Sequence, residues 1–212
     1  MPTDALPLLG LAAALAVGTI TPGPSFLMVA RTAVAAGWAD GLAAAIGMGL
    51  GGVIFCLVAL LGLQALIQGV PWLYLAFQVL GGTYLVVLGT RLWRGARADL
   101  PDAPRGSGPG RLSLRGTLLT GLATQLSNPK TALVYAAIFA AFLPGGTSLP
   151  IGTALLVFVF VLETGWYTLV ALAMSSERPR RTYLAGKSWI DRLAGGVLMA
   201  LGLRLALTPL LA

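Results

Sequence analysis

The sequence predicts an all-α membrane protein of six transmembrane helices, arranged as two inverted three-helix repeats, with the first and fourth helices broken. Three observations carry this. The composition is too apolar for a water-facing domain: 57% of the 212 residues are hydrophobic and 10% charged, with a mean hydropathy of +0.87, whereas soluble domains carry about 25% charged residues. Two of the apolar blocks are interrupted by proline. One Gly/Leu/Arg pattern occurs twice.

Charges and Gly/Pro turns divide the chain into six blocks. Block one runs from about Ala5 to Ala36 and is broken at Thr21-Pro22-Gly23-Pro24. Its N-terminus opens on Asp4 rather than a basic segment, so it reads as a first span and not a removed signal. Block two covers about Gly41 to Gln68, and block three about Trp72 to Trp93, after the turn Gly69-Val70-Pro71. Residues 41–90 hold no ionisable side chain beyond Cys56, Tyr74 and Tyr84, which is enough apolar chain for two spans of about 20 residues. Block four starts near Leu114, is broken at Asn128-Pro129-Lys130 and ends at Pro144. Block five runs from about Leu149 to Ser175, and block six from about Ile190 to Leu211. In lipid every backbone polar group needs an internal partner, so all six are expected to be helices. The chain reads as one transmembrane domain, 1–212: repeat 1 at about 1–93, a Pro/Gly/Arg-rich loop at about 94–113, and repeat 2 at about 114–212.

Basic residues cluster at three places. Arg31 lies by the first turn. Arg91, Arg94, Arg97, Arg105, Arg111 and Arg115 flank or occupy the long loop, and Arg178, Arg180, Arg181, Lys187 and Arg192 follow block five. Basic loops stay cytoplasmic, which places both termini outside. The net charge of +7 is accounted for by these loops facing anionic lipid head groups, so membrane lipids and not nucleic acid are the expected polyanionic partners.

The repeat lies in Gly82-x-x-Leu85-x-x-Leu88-Gly89-x-Arg91-Leu92 and Gly195-x-x-Leu198-x-x-Leu201-Gly202-x-Arg204-Leu205. The proline breaks occupy corresponding places in each half. Three spans is an odd number, so the second copy enters the membrane from the opposite side, as in many secondary transporters.

The breaks carry the candidate chemistry. Proline lacks an N–H and clashes with the preceding turn, so Pro22-Gly23-Pro24 ends one half-helix near Ile20 and starts another at Pro24. Ser25 and Phe26 then present amides at a positive dipole end. In block four Asn128 is the expected N-cap, Pro129 the first helical residue, and Lys130 and Thr131 supply further amides and an ammonium. Two positive helix ends with a lysine suit a carboxylate. The carbonyls left near Gly18–Ile20 and Gln125–Ser127 suit an amine, so a zwitterionic amino acid matches both. Glu163, near the centre of block five, faces the interior by its cost in lipid. It is a candidate to pair with Lys130 when the site is empty, to bind an amine, to carry a proton, or to make a helix–helix hydrogen bond. Gln125 and Gln78 are candidate cavity-lining residues, and Arg204 is expected to have a partner. Gly37-x-x-x-Gly41 and Gly47-x-x-x-Gly51 allow close helix approach within the bundle or in a homodimer.

One cysteine and no histidine exclude an intrachain disulfide and a Cys/His metal, haem or thiol-relay site, and no cofactor is expected. Seven carboxylates, with no cluster in or near a span, disfavour a membrane-embedded enzyme and a metal exporter alike. Export of another small ion or metabolite by the same fold stays open.

These motifs resemble those of a known family. Thr21-Pro22-Gly23-Pro24 with the two small-xxx-small patterns is similar to the first signature of the LysE/RhtB family of amino-acid exporters. Gly81-Gly82-x-Tyr84-Leu85-x-x-Leu88-Gly89, Asn128-Pro129-Lys130 with Phe142-Leu143-Pro144, and Gly195 to Arg204 resemble its third, fourth and last spans. Trp38-Ala39-Asp40 departs from the basic turn of many relatives. The resemblance implies a secondary transporter of the bacterial inner membrane that exports amino acids or close derivatives by alternating access, driven by protons or potential. The reading of the two breaks themselves gives the candidate substrate-binding residues as Thr21, Pro22, Gly23, Pro24, Ser25, Phe26, Gln125, Asn128, Pro129, Lys130, Thr131 and Glu163, with Glu163 also the candidate for proton coupling.

Overall fold

The computed structural model describes residues 5–69, 71–97, 113–143 and 148–211, and the side chains of 7–62, 75–76, 78–97, 113–143, 148–176 and 185–207. Val70, Pro144, the middle of the 94–113 loop with Arg105 and Arg111, and the side chains of Arg178, Arg180 and Arg181 lie outside this. Among the described residues every regular element is helical: α1 (Ala5–Ile20), α2 (Pro24–Ala36), α3 (Trp38–Gly69), α4 (Pro71–Gly95), α5 (Leu114–Leu126), α6 (Pro129–Phe142), α7 (Leu149–Met174) and α8 (Glu177–Leu211).

Both breaks fall where proline chemistry places them. Gly23 is extended (φ −162°, ψ −166°) and Pro24 opens α2, so α1 and α2 meet at a 53° bend. Asn128 caps α6, its side chain accepting from the Lys130 amide at 3.0 Å. Gly37 (φ 99°) makes the turn from α2 to α3, a backbone conformation that a Cβ would strain.

By length and composition, Trp38–Gly62 and Leu149–Met174 each suffice to cross a membrane, and the bent pair Pro7–Ile20 and Pro24–Ala36 suffices together. The outer surface is apolar: Leu149 is 88% exposed, Leu80 70% and Leu193 68%. Glu163 and Gln125 are at most 1% exposed. Polar groups inside and leucines outside is the arrangement that lipid, not water, selects.

One boundary differs from expectation. α8 begins at Glu177, well before the predicted Ile190. The basic stretch interrupts the hydrophobic pattern but not helix formation, because its Arg, Lys, Ala and Leu residues are good helix formers. Pro179 falls in the first turn, where no amide is lost. Asp40 likewise sits in the first turn of α3, where the helix dipole favours a carboxylate, and it accepts from Thr117 Oγ1 at 3.2 Å. The Trp38-Ala39-Asp40 departure thus ties α3 to α5.

The glycines work between helices of the bundle. Gly41 packs on Ala171 and Ala33, Gly47 on the Leu118 and Leu122 backbone, and Gly51 on Gln125. The repeated motif pairs with its own copy: Gly82 lies on Gly202 and Gly89 on Gly195, so α4 and α8 cross antiparallel at backbone contact. A Cβ at Gly89 would stand 2.5 Å from Gly195 O. Gly89→Leu is therefore expected to lower the unfolding midpoint in detergent by the equivalent of about 3 kcal/mol. Gly165→Ala, with nothing within 4 Å of the added carbon, serves as the tolerated control.

Candidate functional site

Two apolar clusters flank a polar centre. One holds Leu11, Leu15, Val134, Ile138 and Phe139, the other Phe26, Val29, Met48, Tyr167 and Val170. Between them the two breaks meet. Ser25, in the first turn of α2, donates to Gln125 Oε1 at 2.5 Å and accepts from Asn128 Nδ2 at 2.9 Å. Gln125 Nε2 donates onward to Glu163 Oε2 at 3.1 Å. Glu163 Oε1 accepts from Tyr135 Oη at 2.9 Å and Thr19 Oγ1 at 3.3 Å. Five helices, α1, α2, α5, α6 and α7, contribute to one chain of hydrogen bonds. Thr19, Ser25, Gln125, Asn128 and Glu163 are all buried. Such a network strongly favours one arrangement, because each orphaned member would carry a full desolvation cost.

Lys130 does not pair with Glu163 here. Its Nζ donates to Gly18 O at 3.3 Å and to Thr21 O. Gly18 O lies in the stretch Gly18–Ile20 predicted to receive an amine, and Thr21 O follows directly after the end of α1. The other predicted stretch, Gln125–Ser127, is partly taken up: Gln125 O accepts from the Asn128 amide at 3.1 Å. A cavity of about 10 Å³, room for about one water molecule, is lined by Gly18, Thr19, Lys130, Thr131, Tyr135 and Glu163 among others.

The predicted residues separate by role. Ser25, Gln125, Asn128, Lys130 and Glu163 come together through side chains. Thr21 donates its hydroxyl to Val17 O at 2.7 Å and offers its carbonyl to Lys130, while Gly23 gives the Lys130 stem room, a Cβ there lying 3.1 Å from Cδ. Thr131 lines the cavity. Pro24 and Pro129 are exposed, and Pro22 is partly so; they act through the backbone. Phe26 belongs to the second apolar cluster. Gln78 is buried on α4. Arg204 stacks over the Phe142 ring at 5.8 Å, supplying the partner expected for it.

Four polar residues were not anticipated. Tyr135 and Tyr167 each lie four residues after a predicted site residue, Thr131 and Glu163, and that spacing on one helix face was a usable signal. Thr19 directly precedes the α1 break. Asp191, at the expected start of block six, is 1% exposed and pairs with Lys187 Nζ at 2.7 Å, because α8 starts early enough to carry both on one face.

Asn128→Ala removes both the cap and the bond to Ser25. It is expected to cost about 1–2 kcal/mol, while Asn128→Asp, which keeps the cap acceptor, is expected to recover part of it; thermal unfolding of the two variants checks this.

Discontinuous helices around a buried polar centre in an apolar bundle are the architecture of a membrane transport protein. The sequence matches the LysE type translocator family over residues 16–208, and the chain belongs to that family. It is 31% identical over 193 residues to the threonine efflux protein of Salmonella typhi, covering 91% of this chain and 93% of that one. It is 30% identical, with the same coverage, to the threonine efflux protein of Escherichia coli K12. It is 28% identical over 180 residues to the leucine efflux protein of Enterobacter sp. strain 638, covering 84% and 83%. No solved structure matches the chain significantly.

Proposed function

We propose that the chain is a secondary transporter that exports amino acids across the bacterial inner membrane, with the two helix breaks as its substrate site. The observation that carries this is the meeting of both breaks around one cationic and one acidic side chain, Lys130 and Glu163, inside an apolar bundle. An amino-acid carboxylate complements the lysine, the carbonyls at the end of α1 suit an ammonium, and Glu163 supplies a buried group that can carry a proton. The relatives named for threonine and leucine efflux support the same substrate class.

The six-span inverted repeat is part of this reading. The reciprocal Gly82–Gly202 and Gly89–Gly195 contacts support it, since a motif that packs on its own copy is what a pseudo-twofold axis produces. Each proline-broken block then counts as one span, and the basic loops set both termini outside. Alternating access is rocking of one half against the other about this seam. Lys130 and the first-turn amides of α2 receive the substrate carboxylate, Asn128 and Ser25 hold the breaks together, and Glu163 takes up and releases the coupling proton.

Purified protein in liposomes tests this. Radiolabelled amino acids, threonine and leucine included, are loaded, and efflux is followed under an imposed pH gradient or potential. Export of at least one amino acid above protein-free vesicles, accelerated by the gradient, is expected. No movement of any proteinogenic amino acid under either driving force would overturn the substrate class.

A further inference from the structure

The end of α1 leaves carbonyls that its helix amides do not fill. Val17 O accepts from the Thr21 amide at 3.1 Å and the Thr21 hydroxyl at 2.7 Å. Gly18 O and Thr21 O accept instead from Lys130 Nζ. The ammonium comes from the other break, on a helix whose first turn is held by Asn128. Glu163 needs no amine, because Thr19, Tyr135 and Gln125 already donate to its two oxygens. The cavity beside Lys130 has room for about one water molecule, far less than an amino acid occupies. The place best suited to a primary ammonium is therefore filled by the protein's own.

We infer that Gly18 O and Thr21 O form the subsite for the ammonium group of the transported amino acid, and that Lys130 is its internal stand-in. Substrate displaces Nζ from the carbonyls, and the freed lysine pairs with the substrate carboxylate. This deepens the amino-acid reading above and takes its substrate class from it. The physical logic is exchange of like for like. A helix C-terminus favours a cation, and a substrate ammonium offers the same three donors as Nζ. The carbonyls therefore stay bonded, and no buried charge is left alone at any stage, which would be strongly unfavourable. Zwitterions are selected as a consequence. A simple amine would free Lys130 with nothing to pair it, a carboxylic acid cannot replace Lys130 on the carbonyls, and an N-acylated amino acid has no ammonium to offer. When the substrate leaves, the return of Nζ competes against its rebinding.

The test uses the full chain in detergent with n-propylammonium, the fragment lost in Lys130→Ala. The variant is expected to show a saturable rise in unfolding midpoint with propylammonium and none with propionate, while the unaltered protein responds to neither. Equal responses of variant and unaltered protein would overturn the subsite. If Lys130→Ala is recovered folded only when propylammonium is present during purification, that rescue supports it equally. A second readout does not depend on the variant. Lys130 and Lys187 are the only lysines, so ε-15N-lysine labelling gives two side-chain signals, assigned through Lys187→Arg. Saturation with an amino acid that the efflux panel shows to be exported is expected to shift the Lys130 signal, and an unmoved signal overturns the exchange. If propylammonium binds the variant while the panel shows no amino-acid export, the subsite stands and the substrate class falls; the opposite pattern removes the subsite alone.

Discussion

Glu163→Gln is expected to leave the bundle folded, to slow efflux about tenfold or more, and to flatten its dependence on the imposed pH gradient. The fold survives because an amide can be seated in the same network. Its oxygen replaces Oε2 in accepting from Gln125 Nε2, which stands 3.1 Å away. Its NH2 then faces Tyr135 Oη and Thr19 Oγ1, which now donate but can rotate to accept. What is lost is the charge and the ability to exchange a proton. Hydrogen bonds to a charged group contribute about 1.5–3 kcal/mol against about 0.5–1.5 for neutral ones, and each 1.4 kcal/mol is about tenfold in rate or affinity. Glu163→Ala is different in kind. It strands three donors in the bundle at about 1–3 kcal/mol apiece, so its unfolding midpoint should drop well below that of the glutamine variant. Efflux against pH in proteoliposomes, with thermal unfolding of both variants, separates the two effects. A glutamine variant with the unaltered rate and pH profile would remove Glu163 from coupling.

Lys130→Gln is the second large effect. The amide can still donate to Gly18 O, so the α1 end stays bonded, but no ammonium remains to receive a carboxylate. A charge-assisted bond of about 1.5–3 kcal/mol lost from substrate recognition lowers efflux at subsaturating substrate by about 10- to 100-fold. Lys130→Arg keeps the charge but has a wider head that the contact near Gly23 crowds, so partial activity is expected from it. Initial efflux rates across a range of internal substrate concentrations check the series. Unchanged kinetics in Lys130→Gln would end its assignment.

Much of this architecture was legible in the residues because its causes are local. Proline cannot donate an amide and collides with the preceding turn, so Pro22, Pro24 and Pro129 marked the ends of half-helices without reference to anything distant, and α1, α2, α5 and α6 stop and start there. Asn128 was legible as a cap for the same reason. The Gly-x-x-Leu-x-x-Leu-Gly echo was legible as a pattern. The start of α8 was not, because charge interrupts a hydrophobic pattern without interrupting helical hydrogen bonding.

The partners were decided at longer range. Nothing near Lys130 in sequence says whether its ammonium meets Glu163, 33 positions on, or carbonyls more than a hundred positions back; that depends on how α6 packs against α1. The same holds for Ser25 with Gln125 and Asn128, for the burial of Asp191, and for the use of the repeated glycines as a seam between α4 and α8. The sequence by itself determined that there are two breaks, what charges they bear and that lipid surrounds them, since these follow from the covalent chemistry of proline, lysine and leucine. Only the tertiary structure decided that the lysine of one break rests on the carbonyls of the other, because hydrogen bonds between helices are set by packing rather than by spacing along the chain.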